Sequence, residues 1–191
     1  FISTVGWVTR CAFSRTPRTA RINGRTSYEG QDRTGGPGVA ESARPLIDAA
    51  CERQGSAFPV ELVDIPVNDS WCRDHGPAFL INPETKSKMI VNWGYNAWGG
   101  KYPPFELDDV IPTKIAEEKG LPVLYPGIIM EGGSVEFNGA GTVLTSKSCL
   151  LNKNRNPHLS KEEVEDYLKK YYGQKQVLWV DDGIVGDDTD G

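Results

Sequence analysis

The order of predicted strands and helices repeats in the second half of the chain, and this repeat constrains the fold most. Two units of similar length share the order strand, strand, helix, strand. The first unit is predicted over 77–82, 88–93, 108–119 and 122–125. The second unit is predicted over 134–137, 142–145, a helix that follows Ser160, and 176–180. The pattern therefore predicts an α/β fold with a repeat architecture that is incomplete in this chain.

Short local signals support these elements. Asn138-Gly139 between two apolar runs predicts a hairpin. Ser160 followed by Glu163 predicts a capping box, and Gly173 is placed to end the helix that begins there. Pro112 is expected to interrupt the helix over 108–119 near its start. The apolar residues of the second helix recur at helical spacing: Val164, Tyr167, Leu168 and Tyr171.

Composition is typical of a folded protein and excludes several classes of function. A chain of 191 residues with 38% hydrophobic content can build one core. The sequence has no run of roughly 18 apolar residues, so we expect no membrane partner. A net charge of −5 argues against a nucleic-acid partner and suits cationic small molecules. The four cysteines lack CxxC spacing, which predicts no metal site and favours a reducing, cytoplasmic setting.

The N-terminal part differs in character from the rest. Residues 1–33 contain six arginines against only Glu29 and Asp32, which is typical of an organellar transit segment or of a divergent end. Since the first residue is Phe1, we interpret the chain as a fragment or a processed product. A glycine-rich break at 35–38 precedes a predicted helix over 40–53.

The regular pattern begins at Phe58, and a strand is predicted over 60–67. We therefore divide the chain into a divergent or disordered segment, 1–57, and the N-terminal part of one domain, 58–191.

Two segments crowd acidic, aromatic and glycine residues where a plain strand would alternate apolar with polar ones. They cover 68–77 and 93–100. Packing alone does not readily explain this composition, so both segments are predicted to be walls of a pocket. Residues 94–101 lack the spacing of a phosphate-binding loop, and 181–190 lack that of a calcium loop.

Five motifs in this order carry a family resemblance. They are Asn-Asp-Ser-Trp-Cys-Arg-Asp-His-Gly-Pro at 68–77, Trp-Gly-Tyr-Asn-Ala-Trp-Gly-Gly at 93–100, Glu-Gly-Gly-Ser at 131–134, Cys-Leu-Leu-Asn-Lys-Asn-Arg-Asn-Pro at 149–157, and Asp-Asp-Thr-Asp-Gly at 187–191. From about Phe58 onward the chain resembles the agmatine deiminases of the guanidino-modifying (pentein) superfamily. The resemblance implies an α/β propeller of ββαβ blades, and a hydrolase that converts agmatine to N-carbamoylputrescine and ammonia in putrescine biosynthesis.

In that family a cysteine thiolate attacks the guanidinium carbon, a histidine carries protons, and no metal or organic cofactor takes part. The resemblance assigns catalytic carboxylates to Asp74 and Glu131, and substrate-binding rings to Trp71 and Trp98. A carboxylate pairs well with a planar guanidinium, so these residue types suit that chemistry.

Plainer roles stay open for the same residues. Asp74 could pair with Arg73 or cap a turn, and Glu131 could be a solvated residue before a glycine turn. The two tryptophans could simply be core residues, as Trp93 is predicted to be. Arg155 is predicted to have a structural role in a turn.

Departures from the family pattern limit what this chain can do alone. The family histidine and the nucleophilic cysteine fall after Gly191, and neither His75 nor His158 replaces that histidine. His75 is interpreted as a surface residue or one behind the site, and Cys72 as a small buried thiol. We therefore expect this chain to be inactive and the full-length product to be active.

Two other functions remain open. The pattern also fits a peptidylarginine deiminase that acts on arginine in a peptide, or a noncatalytic remnant that binds guanidinium compounds. The partner implied by the resemblance is a small cationic guanidino substrate, agmatine. A homodimer is compatible with the full-length protein.

Overall fold

The computed structural model describes residues 5–6, 39–53, 63 and 65–191. The strands are β1 (Val5–Gly6), β2 (Ala78–Ile81), β3 (Lys88–Val91), β4 (Val123–Leu124), β5 (Val135–Phe137), β6 (Thr142–Ser146) and β7 (Gln176–Val180). The helical elements are α1 (Val39–Arg53), α2 (Cys72–His75), α3 (Ala97–Gly100), α4 (Glu106–Asp109), α5 (Ile111–Lys119), α6 (Lys147–Leu150) and α7 (Lys161–Tyr172), with a 3-10 turn at Gly132–Ser134.

The strands form two sheets with the same internal pattern. In the first sheet, in the order β1-β2-β3-β4, β2 and β3 are antiparallel and β4 is parallel to β3. In the second sheet, in the order β5-β6-β7, β5 and β6 are antiparallel and β7 is parallel to β6. A helix, α5 or α7, precedes the parallel third strand in each case. The predicted mixed α/β fold with two strand, strand, helix, strand units is confirmed.

Local signals act where the sequence places them. The Ser160 hydroxyl accepts from the Glu163 backbone N–H at 3.2 Å, while the Glu163 carboxylate accepts from the Ser160 backbone N–H at 2.7 Å. Gly173 ends α7 with φ of 65°. The Asn138 side chain accepts from the backbone N–H groups of Ala140 and Thr142, which shapes the hairpin between β5 and β6. These bonds fix the ends of the second unit.

Some boundaries differ from the prediction. The helix over 108–119 is wrong as one element, because the chain breaks at Val110 into α4 and α5, and Pro112 lies in the first turn of α5. Proline is tolerated there, since N–H groups of a first turn have no partner within the helix. The strand predicted over 60–67 lies partly outside the described residues, and its described part, 63 and 65–67, is not a strand. Within the segment 1–57, the described parts are α1 and β1, which pairs with β2.

One hydrophobic core lies between the two sheets and α7. Trp93 packs there against Tyr171 and Tyr172, with ring centroids 5.5 and 5.2 Å apart, so its predicted core role is confirmed. The other buried members come from both units: Ala78, Leu80, Val91, Ile128, Met130, Val135, Val143, Cys149, Leu150, Val164 and Leu168. Because this core joins both units, it fixes the loops of one relative to those of the other.

Candidate functional site

The site lies at one edge of the first sheet. After β3, Gly94 forms a parallel bridge with Ile129, so residues 95–98 and Glu131 leave neighbouring parallel strands in the same direction. Strand β2 runs antiparallel to β3, so the segment that carries Asp74 enters the sheet at that same edge. The carboxyl ends of parallel strands are a common place for ligand sites. The two unusual sequence segments therefore meet there.

Asp74 lies in α2 and its carboxylate is fixed by the neighbouring loop. The Gly133 backbone N–H donates to Asp74 Oδ1 at 3.0 Å. Burial, followed by the charge of Glu131, raises the pKa of Asp74 from 3.8 to about 6. Hydrogen bonds from Gly133 and Trp98 and the charge of Arg73 act in the opposite direction and are outweighed. Asp74 is thus a carboxyl group that changes charge near neutral pH.

Trp98 is held in a left-handed turn. Ala97, Trp98, Gly99 and Gly100 all have positive φ, of 53°, 55°, 82° and 78°. A left-handed conformation costs a residue with a side chain roughly 1–2 kcal/mol, so two such residues in succession need support from their surroundings. The Asn96 side chain supplies part of it by accepting from the Gly99 backbone N–H at 2.8 Å. Such strain is typical of functional sites.

A cavity of about 400 Å³ opens between these segments. Its lining combines carboxylates with aromatic rings: Asp69, Trp71, Asp74, Trp98, Tyr102, Asp188 and Thr189. Trp98 is only 6% exposed, whereas Trp71 is 60% exposed. Among the described residues that line the cavity, none is Lys or Arg. The cavity therefore suits a cation with an apolar body.

The rim of the cavity is tied to α4. The backbone N–H groups of Asn68 and Asp69 donate to Asp108 Oδ1 at 2.7 and 3.2 Å, and Asn68 Oδ1 accepts from the Leu107 N–H at 2.8 Å. The backbone N–H of Tyr95 donates to Oδ1 of Asp109, the residue after Asp108, at 2.7 Å. Two acidic residues of one short helix thus anchor both segments that form the cavity.

Glu131 lies behind Asp74 and does not line the cavity. It is buried, and its Oε1 accepts from Arg155 Nε at 2.6 Å. The Arg155 side chain is fully buried and also donates to Asp190 Oδ2 at 2.8 Å. Burial works to lower the pKa of Arg155, but Glu131 and Asp190 outweigh it and the net shift is upward. The predicted structural role of Arg155 is thus that of a buried ion-pair partner.

Asp190 belongs to the last described segment of the chain. Burial works to raise its pKa, but hydrogen bonds from Lys101, Arg155 and Asn154 outweigh burial and lower it to about 2. Lys101 Nζ lies 2.6 Å from Asp190 Oδ1, and Asn154 Nδ2 lies 3.2 Å from Oδ2. Asp190 is therefore a permanent anion that joins three segments of the site.

The described thiols and imidazoles near the site are not placed for chemistry in the cavity. Burial, followed by the charge of Glu131, raises the pKa of Cys149 to about 12, so its thiol stays protonated. His75 is buried, its Nε2 lies 3.2 Å from the carbonyl of Asp69, and burial lowers its pKa. The surface alternative for His75 is thus wrong, and the residue lies behind the rim. Cys72 is partly buried.

The structure brings together most of the residues named from the sequence. Asp74, Trp71 and Trp98 line one cavity, while Glu131 lies beside it and faces Arg155. Their roles toward a ligand stay predictions. The sequence reasoning assigned no site role to four residues of the lining, Asp69, Tyr102, Asp188 and Thr189, or to the anchors Asp108 and Asp109. The available signals were the position of Asp69 in the segment 68–77 and of Asp188 and Thr189 in the Asp-Asp-Thr-Asp-Gly motif.

The described residues contain no group of three or more His, Cys, Asp or Glu side chains arranged to hold a metal ion. None of the helices in the described part is long and apolar enough to cross a membrane.

Comparison with known proteins places the chain in a family. Residues 39–191 match the model of the family described as Porphyromonas-type peptidyl-arginine deiminase. The chain belongs to this family. It is 42% identical over 137 residues to the agmatine deiminase of Pseudomonas savastanoi pv. phaseolicola and 41% identical over 140 residues to that of Medicago truncatula. These matches cover 69% and 68% of the chain.

Solved structures of the family share the fold. The agmatine deiminase of Enterococcus faecalis superposes with a TM-score of 0.66 at 33% identity, over 84% of this chain and 50% of that enzyme. The chain spans 37% of the length of each of the two curated enzymes. It therefore corresponds to less than half of either curated relative.

Proposed function

We propose that this chain supplies the substrate-binding wall of an agmatine deiminase, a hydrolase that converts agmatine to N-carbamoylputrescine and ammonia on the way to putrescine. The observation that carries the proposal is the position of Asp74, at a cavity with aromatic walls and beside the second buried carboxylate, Glu131. The relatives named agmatine deiminase support it.

The chemistry of a guanidinium matches the inner part of the cavity. A guanidinium is planar, stays charged at any ordinary pH, and pairs with carboxylates in a site that excludes water. Asp74 is an anion above about pH 6, and the charge of Glu131 adds to the negative potential around it. The indole of Trp98 can contact the cation through its ring face, which contributes roughly 0.5–2 kcal/mol. We assign the guanidinium end of agmatine to Asp74 and Trp98.

The outer part of the cavity distinguishes agmatine from a peptide that ends in arginine. Asp69 and Asp188 lie in its lining, and the Tyr102 hydroxyl donates to Asp188. Agmatine presents an ammonium group to these carboxylates, whereas a C-terminal arginine presents its own carboxylate. Repulsion between like charges disfavours the peptide. The outer carboxylates therefore favour the amine substrate.

The reaction needs a nucleophile and a proton carrier in addition to these residues. A thiolate adds to the guanidinium carbon, ammonia leaves, and water then releases the ureido product from the thiol. The cavity lining among the described residues contains no Cys or His. We place these reacting groups outside the described residues, while Asp74 holds and neutralises the cation so that its carbon stays open to attack, and Glu131 acts from behind it through its charge.

The larger architecture is part of the same proposal. The two ββαβ units would be blades of an α/β propeller, as the resemblance to the superfamily implies. A homodimer of the full-length protein stays a prediction.

A ligand series tests the proposed function on the 191-residue chain. Isothermal titration calorimetry at pH 7.5 would compare agmatine, butylguanidine, which lacks the ammonium group, and a glycyl-arginine dipeptide. We expect agmatine to bind most tightly and butylguanidine about fivefold more weakly, because a partly exposed ion pair contributes up to about 1 kcal/mol. The dipeptide should bind most weakly. Tighter binding of the dipeptide than of agmatine would favour the peptidylarginine deiminase instead.

A further inference from the structure

We propose that Arg155 is a positioning residue of this site, whose own guanidinium keeps the Glu131 carboxylate charged and in place beside Asp74. Its relevance to catalysis rests on the proposed function, but the geometry that carries it does not. Nothing in the resemblance assigns Arg155 more than a place in a turn.

The surroundings of Arg155 form an internal receptor for a guanidinium. Nε donates to Glu131 Oε1 at 2.6 Å, Nη1 donates to Asn154 Oδ1 at 2.6 Å and to Asp190 Oδ2 at 2.8 Å, and Nη2 donates to the Thr189 carbonyl at 3.0 Å. All three nitrogens of the Arg155 guanidinium therefore donate hydrogen bonds. Arginine matches such a set of acceptors in a way that lysine, with one compact ammonium, does not.

Glu131 needs a cation at this place. Its side chain is only 3% exposed, and a carboxylate that far from water takes up a proton unless a positive charge faces it. Arg155 supplies that charge at hydrogen-bonding distance. The second oxygen, Oε2, lies 3.9 Å from the thiol of Cys149, which is neutral. The ion pair with Arg155 therefore compensates the burial of the Glu131 carboxylate.

The consequence reaches Asp74 through Glu131. The charge of Glu131 is the second cause, after burial, of the raised pKa of Asp74. Arg73 acts on Asp74 in the opposite direction, and Tyr95 and Cys149, which also face it, are uncharged because burial raises the pKa of each. Arg155 therefore acts on the pKa of Asp74 through the carboxylate that it holds in the ion pair.

The titration of Asp74 in the ligand-free chain tests this inference. Carbon-13 NMR of side-chain carboxyl groups would follow the midpoint from pH 4 to 8, with Asp74→Asn to assign the signal. We expect Glu131→Gln to lower the midpoint by about one pH unit, since the repelling charge is gone. Arg155→Gln should lower it similarly, because the buried Glu131 carboxylate then has no cation that compensates its charge. Arg155→Lys should keep more of the wild-type midpoint. An unchanged or raised midpoint in Arg155→Gln would overturn the proposal.

A double variant covers the case in which Arg155→Gln does not fold. Arg155→Gln combined with Glu131→Gln leaves neither charge of the pair unpartnered, and such removal of both partners is often tolerated. If Arg155 acts on Asp74 only through Glu131, the double variant and Glu131→Gln alone have the same midpoint. A further shift of more than about 0.3 pH units in the double variant would refute this route. Because no ligand is present, failure of the proposed function would leave these outcomes unaffected.

Discussion

Asp74→Asn is expected to raise the free energy of unfolding at pH 7.5 by about 1–2 kcal/mol while it removes the main anion for binding. The pKa of Asp74 is raised in the folded chain from 3.8 to about 6, so folding favours the neutral acid. The stability that this preference contributes is fully present below about pH 4 and is lost as the pH rises through 6. At pH 7.5 the folded chain carries the whole cost of a buried anion, which asparagine avoids.

Urea unfolding at pH 4 and pH 7.5 measures this difference. The difference in the free energy of unfolding between Asp74→Asn and wild type should be small at pH 4 and larger at pH 7.5. Asp166→Asn, on the exposed side of α7, serves as the control and should change stability little at either pH. Equal differences in the free energy of unfolding at both pH values would show that the burial of the Asp74 charge does not cause the stabilisation. Functional sites often behave in this way, because removing a group that binds the ligand can stabilise the folded protein.

Gly99→Ala is expected to destabilise the chain by about 3 kcal/mol, far more than Gly100→Ala. Both glycines have positive φ, of 82° and 78°, so both substitutions carry the backbone cost of roughly 1 kcal/mol. They differ in their surroundings. A Cβ at position 99 would lie 2.2 Å from Asn154 Nδ2, whereas nothing lies within 4 Å of a Cβ at position 100. Gly100→Ala is therefore a matched control for backbone strain.

Asn154 cannot move aside cheaply, since it donates to Asp190 and accepts from Arg155. Displacing it would disturb the ion-pair network and the turn that carries Trp98. Thermal unfolding with a denaturant series would give both free energies. Similar losses of unfolding free energy in Gly99→Ala and Gly100→Ala would mean that a clash with Asn154 contributes little to the destabilisation.

The order of strands and helices could be predicted from the sequence because each element begins and ends through interactions between residues that are close in the chain. The hairpin at Asn138-Gly139, the capping box at Ser160 and the end of α7 at Gly173 each depend on a few neighbouring residues. The break between α4 and α5 was missed, since it depends on what Asp108 and Asp109 hold rather than on helix propensity. Contacts between distant segments leave no periodic pattern in one sequence.

The site was predictable in its residue types and not in its geometry. Asp74 and Trp98 stand out because acidic and aromatic residues are crowded beside glycines. The left-handed conformation of Ala97 and Trp98 could not be read from the sequence, because neither residue favours positive φ by itself. Arg155 carries little signal as an arginine in a turn, and its burial follows from the meeting of Glu131 and Asp190 from distant segments.

The pH dependence of agmatine affinity tests the central claim, that the ionised Asp74 holds a guanidinium cation. Both charged groups of agmatine keep their protons between pH 5 and 7. Asp74, with a pKa of about 6, changes from mostly neutral to mostly ionised over that range. Calorimetry on this chain should therefore show an affinity about tenfold higher at pH 7 than at pH 5. Asp74→Asn should bind weakly at both. An affinity of wild type that does not change over this range, or a pH dependence that survives in Asp74→Asn, would contradict the account.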